Sequence, residues 1–257
     1  NLEIFLKQIN CPHQYQKEDF IDLYNYRYGV IINCVGLGTP KKVKETGEKV
    51  FRLTEEFDNM VLEYLNRYPD TLYINFSSGA VYSCSFTDKV KDDSNSSIPV
   101  NNIKPENYYG IAKINSEAKH RALEGFNIVD IRIFSYFSRF IDLDAGYFLT
   151  ELLKSLKQKK VFVTNPCDFI RDFLSPQDLF NLICLIIKGK PFNGAIDTYG
   201  SAPVSKFELL HYFVKAHSLK YTIDRNFDPI CPTGIKNVYC SESKKAAGLG
   251  YQPKLSS

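Results

Sequence analysis

Apolar residues follow two spacings along this chain, and the spacings alternate. Short β-type runs fall at 30–35, 72–76, 128–134 and 160–164. Between them apolar residues recur three and four apart. Val50, Leu53, Phe57, Val61 and Leu65 predict a helix over 41–67, ended by Pro69 and Asp70. Further helices are predicted over 108–123, 147–156, 178–188 and 205–217. The last opens with Ser205 and has Glu208 three residues on, the pattern of a capping box. Residues 18–28 read as a short helix or loop, and 241–247 as a last short helix ending near Gly248. Residues 87–106, rich in Asp, Ser, Asn and Lys, read as a loop able to cover a site. Strands alternating with helices predict an α/β fold built on a parallel, doubly wound sheet.

Composition narrows the classes. A chain of 257 residues holds one large domain, or a large and a small one. A net charge of +3 is too weak to imply nucleic acid or a membrane surface. No apolar run reaches transmembrane length and no signal peptide is visible. The seven cysteines are dispersed without a Cys-x-x-Cys, which reads as reduced thiols in a cytoplasmic protein. His13, His120, His211 and His217 form no metal-spaced cluster, so no metal is expected; His211 and His217 read as surface or packing residues of one helix.

Candidate chemistry centres on Tyr109-Gly-Ile-Ala-Lys113. Of 17 tyrosines, only Tyr109 has a lysine four residues on. That spacing puts both side chains on one helix face. Lysine charge stabilises a phenolate, against an ordinary tyrosine pKa of about 10. The run at 72–76 ends in Ser77 and Ser78, whose hydroxyls can hold the same substrate oxygen. Together these groups can exchange a proton with an alcohol or ketone while hydride moves to or from a nicotinamide. The bland alternative is a fortuitous pair on a surface helix.

Ser77-Ser-Gly-Ala-Val-Tyr82, a loop, and then Tyr109-x-x-x-Lys113 resemble the extended short-chain dehydrogenase/reductases, in the NAD-dependent epimerase/dehydratase family that acts on nucleotide sugars. Five more segments match in order: Val30-Ile-Ile-Asn-Cys-Val-Gly36, Asp130-Ile-Arg-Ile-Phe-Ser-Tyr136, Arg171-Asp-Phe-Leu-Ser-Pro-Gln-Asp178, Ala195-Ile-Asp-Thr-Tyr-Gly-Ser201 and Leu249-Gly-Tyr-Gln-Pro253. The resemblance implies a Rossmann-type domain over 1–135 and about 170–200, with a smaller C-terminal α+β substrate domain over about 136–169 and 201–257.

It also implies roles. Tyr109 is the acid/base, Lys113 its electrostatic partner and a ribose ligand, and Ser78 the hydroxyl nearest the substrate. Cys34, Val35, Gly36, Phe76 and Ser77 line the cofactor side, Gly36 most directly; the alternatives are plain strand core for the Cys34 and Val35 side chains and support of the strand end for Ser77. Tyr82, Ser135 and Arg171 face the substrate, with the Arg171 fork on the nucleotide diphosphate; the structural alternatives are an aromatic packed beside the loop for Tyr82 and a salt bridge to Asp172 or Asp178 for Arg171. Arg132, inside an apolar strand, reads as a buried ion pair. The family's paired helices, here 41–67 and 108–123, imply a homodimer.

Departures limit what carries over. The family's dehydratases have Asp-Glu after the catalytic hydroxyl residue, where this chain has Gly79-Ala80, so a 4,6-dehydratase is disfavoured. Ser83, Ser135 and Ser138 replace family Gly, Asn and Gly. No glycine-rich phosphate turn is present, and 2–6 would be the second strand, so a first βα unit of about 30–50 residues is expected upstream. A chain without that unit would lack its phosphate cradle. The cofactor is NAD or NADP; Lys7, with no acid beside it, points to NADP. The expected activity is that of a sugar epimerase or ketoreductase, against two alternatives: a non-catalytic dinucleotide- or sugar-binding member, and a reductase of small carbonyl compounds.

Overall fold

The computed structural model describes residues 14–15, 20–37, 39–82, 86–227 and 233–255. The strand expected over 2–6, and Lys7 beside it, lie outside these residues, as does Ser83.

A 3₁₀ turn (Phe20–Asn25) leads into strand β1 (Val30–Asn33). The Thr39 hydroxyl then accepts from the Lys42 N–H, and Pro40 opens helix α1 (Pro40–Thr46). Gly47 turns the chain at φ +54°, in the left-handed region, before α2 (Lys49–Arg67). The single helix predicted over 41–67 is therefore two, divided at the residue without a Cβ. Strand β2 (Leu72–Ser78) follows, then a 3₁₀ turn (Gly79–Val81), the long loop and α3 (Pro105–Ala122). After β3 (Ile128–Ile133) come β4 (Ser135–Tyr136), α4 (Phe148–Lys157), β5 (Phe162–Thr164), β6 (Ile170–Arg171) and β7 (Phe173–Leu174). The chain continues through α5 (Pro176–Lys188), β8 (Gly194–Asp197), β9 (Val204–Ser205), α6 (Lys206–His217), β10 (Tyr221–Ile223) and β11 (Val238–Tyr239). Ser205 and Glu208 form the expected capping box on α6. The last helical turn is a 3₁₀ segment, Lys245–Leu249.

The main sheet has the order β1-β2-β3-β8 and is parallel throughout. Helices cover both faces. Leu72, Ile74, Val129, Ile131 and Ile196 pack against Leu179, Leu182, Ile183 and Ile186 of α5. Ile31, Tyr73 and Ile128 point the other way, onto Val61, Tyr64 and Leu65 of α2. Period-two alternation in strands buried on both sides gives this pattern, and it is the α/β Rossmann-type arrangement the alternation of elements predicts.

The remaining short strands form small sheets of their own: β5 with β10, β6 between β11 and β9, and β4 with β7. Leu152, Phe162, Leu210 and Leu219 make a separate apolar cluster between α4 and α6.

Candidate active site

Strand β2 ends in two serines with different tasks. The buried Ser77 hydroxyl donates to Glu117 Oε1 at 2.6 Å, and Glu117 in turn holds Arg132 through three hydrogen bonds. Arg132 also lies 3.6 Å from Asp197, so the expected buried ion pair is present. Ser78 instead caps the turn after the strand, its Oγ accepting from the Ala80 N–H at 3.2 Å. Two glycines make the close packing here feasible. A Cβ on Gly79 would sit 2.5 Å from the Phe134 ring, and one on Gly110 would sit 2.6 Å from the Ala80 carbonyl oxygen. Gly110 thus lets α3 settle directly on the turn that carries Ser78, with Tyr109 beside it.

Burial pushes the Tyr109 pKa above the usual tyrosine value, and the neighbouring Ser78 hydroxyl partly offsets this. One helical turn on, Lys113 is 3% exposed. Its Nζ donates to the Phe76 carbonyl at 2.8 Å. Burial lowers its pKa, opposed by the carboxylates of Asp130, Asp58 and Glu117. An ammonium carries three N–H donors. Among the described residues Lys113 makes one hydrogen bond and no ion pair, which leaves two donors unused. A Cβ on Gly36 would lie 3.5 Å from this amine, so the turn after β1 passes beside it. Cys34 is near enough to raise the Lys113 pKa, and the Val35 N–H donates to the Asn33 side chain at 2.9 Å. Cys34, Val35, Gly36, Phe76, Tyr109 and Lys113 are therefore brought together at the ends of β1 and β2.

The expected substrate-side residues are spread more widely. The Tyr82 hydroxyl donates to Asp197 at 3.0 Å and accepts from Arg132 at 2.5 Å. Ser135 pairs with Phe173 in the β4–β7 ladder, two residues past Arg171. The Arg171 guanidinium donates to the Ile170 carbonyl and stacks over Phe169 at 4.5 Å and Tyr239 at 5.8 Å. Asp178 accepts from Ser175 and from the Lys254 and Leu255 N–H groups, and Asp172 from Gly200.

Two tyrosines join the site without any signal in the sequence. The Tyr239 hydroxyl lies 3.2 Å from Ser78 Oγ. Tyr147 is 38% exposed overall, but the protein packed about its hydroxyl pushes its pKa up to about 12, with Tyr109 adding to the rise. A second buried cluster was also hidden. His120, fully buried, bonds Asp130 through Nδ1 at 2.9 Å and Asp58 through Nε2 at 2.7 Å. Burial opposes its charge, but the hydrogen bonds to Asp130 and Asp58 outweigh that and raise its pKa to about 9. Asp58 is held down at about 2: burial raises it, and His120 and Lys119 lower it by more. No spacing rule brings residues from α2, α3 and β3 together.

A family model described as the NAD dependent epimerase/dehydratase family matches residues 13–199. The chain belongs to this family. Among solved structures, UDP-glucose 4-epimerase of Thermotoga maritima with UDP-glucose matches at a TM-score of 0.74 and 15% identity, over 93% of this chain and 76% of that one. UDP-glucuronic acid 4-epimerase of Bacillus cereus with NAD matches at 0.70 and 18%, over 96% and 78%. RMD of Pseudomonas aeruginosa with NADPH matches at 0.73 and 14%, over 98% and 88%. No curated protein matches the chain in sequence. Among the described residues, no helix of this family member is long and apolar enough to cross a membrane.

Proposed function

We propose that this protein is an NAD(P)-dependent oxidoreductase or epimerase of a nucleotide sugar, with Tyr109 as its acid/base. The observation that carries the reading is a buried ammonium with two donors unused among the described residues, set one helical turn from a tyrosine whose neighbour is the Ser78 hydroxyl. Those donors, beside a glycine with no side chain, fit the hydroxyls of a ribose. Lys113, Gly36, Cys34, Val35, Phe76, Ser77 and Tyr109 would hold the nicotinamide dinucleotide, which when bound supplies the hydride acceptor or donor. Tyr109 takes the proton of a sugar hydroxyl, and Ser78 hydrogen-bonds the same oxygen. Lys113 favours the phenolate that accepts the proton. A reductase uses the same groups in reverse.

Ser78, Tyr82, Ser135 and Arg171 would meet the substrate. Arg171 stacks on Tyr239, whose hydroxyl touches Ser78. This placement supports a diphosphate-bearing substrate over a small carbonyl compound. Similar folds that bind UDP-glucose, NAD or NADPH support the same class. The crowding of Phe134 against Gly79 leaves no room for an acid there, which supports an epimerase or ketoreductase over a dehydratase. The group around α4 and α6 would be the substrate domain, and the packed pair α2 and α3 one half of a homodimer interface.

The test is to denature the purified full-length protein, identify any released dinucleotide by mass spectrometry, and follow nucleotide sugars incubated with the protein by NMR. An altered sugar, lost on Tyr109→Phe, is the expected result. No dinucleotide bound or taken up, with every sugar unchanged, overturns the reading in favour of a non-catalytic binding protein.

A further inference from the structure

The turn after β1 is tied to the buried His120 cluster by a continuous line of hydrogen bonds. Asn33, the last residue of β1, is buried. Its side-chain oxygen accepts from the Val35 N–H at 2.9 Å, an Asx turn that spans Cys34. Its amide nitrogen donates to the Tyr73 hydroxyl, also at 2.9 Å. The fully buried Tyr73 donates in turn to Asp58 Oδ1 at 2.9 Å, and its ring stands edge-on to His120 at 5.3 Å.

This line has a direction. An amide side chain can face either way round, and its partners decide which. The Asp58 carboxylate, ionised beside His120 and Lys119, only accepts. Tyr73 has one proton, and Asp58 takes it. The Tyr73 oxygen is then an acceptor, so Asn33 presents its NH2 group there. That leaves the Asn33 oxygen facing the Val35 N–H. Turned the other way, the amide would set donor against donor at the turn and oxygen against oxygen at Tyr73, each with a buried polar group unsatisfied. The far end of the line lies at the site: Gly36 follows Val35, and a Cβ on it would be 3.5 Å from the Lys113 amine.

We propose that Tyr73 is a positioning residue for the dinucleotide: by fixing the Asn33 amide, it holds the turn of Cys34, Val35 and Gly36 in place beside Lys113. The role in binding rests on the reading of that turn as the cofactor side. Without the Tyr73 hydroxyl, nothing selects the amide orientation that accepts from Val35, and the turn is no longer set before the ligand arrives.

The test compares Tyr73→Phe with Tyr64→Phe in the full-length protein. Tyr64 belongs to the same apolar cluster, but its hydroxyl donates to the Tyr26 carbonyl and accepts from the Tyr28 N–H, before β1 begins. Both variants keep the ring and lose a buried hydroxyl, so both should melt at a lower temperature. Only Tyr73→Phe should weaken binding of NAD or NADP, by roughly tenfold in Kd measured well below either melting temperature. Asn33→Ala, which leaves the bond from Tyr73 to Asp58 in place, should weaken it as much, and the double variant no further, since both cut one line. Exchange of the Val35 amide hydrogen, followed by NMR relative to amides of β3, should speed up in Tyr73→Phe and not in Tyr64→Phe. A dinucleotide Kd in Tyr73→Phe equal to that in Tyr64→Phe overturns the proposal, whatever the loss of stability. A parent protein that binds neither dinucleotide overturns the cofactor reading and the role in binding with it; faster Val35 exchange in Tyr73→Phe alone would then leave only the tie to the turn standing.

Discussion

Helix α3 carries two buried polar clusters about two turns apart, and only one of them is neutralised. Towards its C-terminus, His120 lies between Asp58 and Asp130. Lys119 pairs with Asp58 at 2.8 Å and Arg121 with Asp130 at 2.9 Å. Tyr73 and Asn75 donate to the same two carboxylates, so each carboxylate oxygen has a hydrogen-bond or ion-pair partner. Towards its N-terminus, Lys113 is as deeply placed but among the described residues has one hydrogen bond, to a carbonyl, and no ion pair. Burial costs a charge several kcal/mol unless other groups compensate it. The first cluster meets that cost within the protein and ties α2, α3 and the sheet together. The second leaves donors for something that is not protein. Depth alone does not mark a site; a buried group with unused hydrogen-bonding capacity does.

The comparison breaks most clearly by substitution on its two sides. His120→Ala should destabilise the fold by about 3–5 kcal/mol in urea titrations, because two buried carboxylates lose the cation between them. Tyr109→Phe should leave stability within about 1 kcal/mol but lower turnover by roughly 10²–10⁴-fold. Equal loss of stability in both would show that the clusters do the same work.

A pH series sharpens it. The His120 pKa is raised in the folded state, so its stabilisation is complete below the ordinary histidine value of about 6.5 and is lost as pH rises through about 9. The difference in unfolding free energy between the parent protein and His120→Ala should therefore shrink, by on the order of 3 kcal/mol, between those limits. A difference that is flat with pH would mean His120 is held neutral. The smallest expected effect is at the joint of helix and turn. Gly110→Ala places a Cβ against the Ala80 carbonyl, and the better helix propensity of alanine offsets part of the strain. A net loss of about 1–2 kcal/mol, with a larger fractional loss of turnover, is expected from thermal melts and initial rates. An unchanged rate would show that the Ser78 turn and Tyr109 tolerate being moved apart.

Local rules carry far in this chain. Apolar spacing marks strands over 72–76 and 128–134 and helices over 178–188 and 205–217, each within two residues of the element observed, because period two and period 3.6 are set by backbone geometry that neighbours in sequence share. The Tyr109–Lys113 pair is legible for the same reason: four residues of helix fix the relative direction of two side chains. The break at Gly47 was missed because a glycine inside a helical pattern reads as tolerable until its φ is known. What only the tertiary structure decided lies in contacts between distant segments. Tyr239 reaches Ser78 from 161 positions away, and His120 meets Asp58 across 62. Gly36 comes to rest beside Lys113 because β1 and β2 are neighbours in the sheet. The chemistry of the acid/base pair is thus a property of one helical turn. Which groups surround that pair, and which buried charges are neutralised, depend on which strands the fold sets side by side.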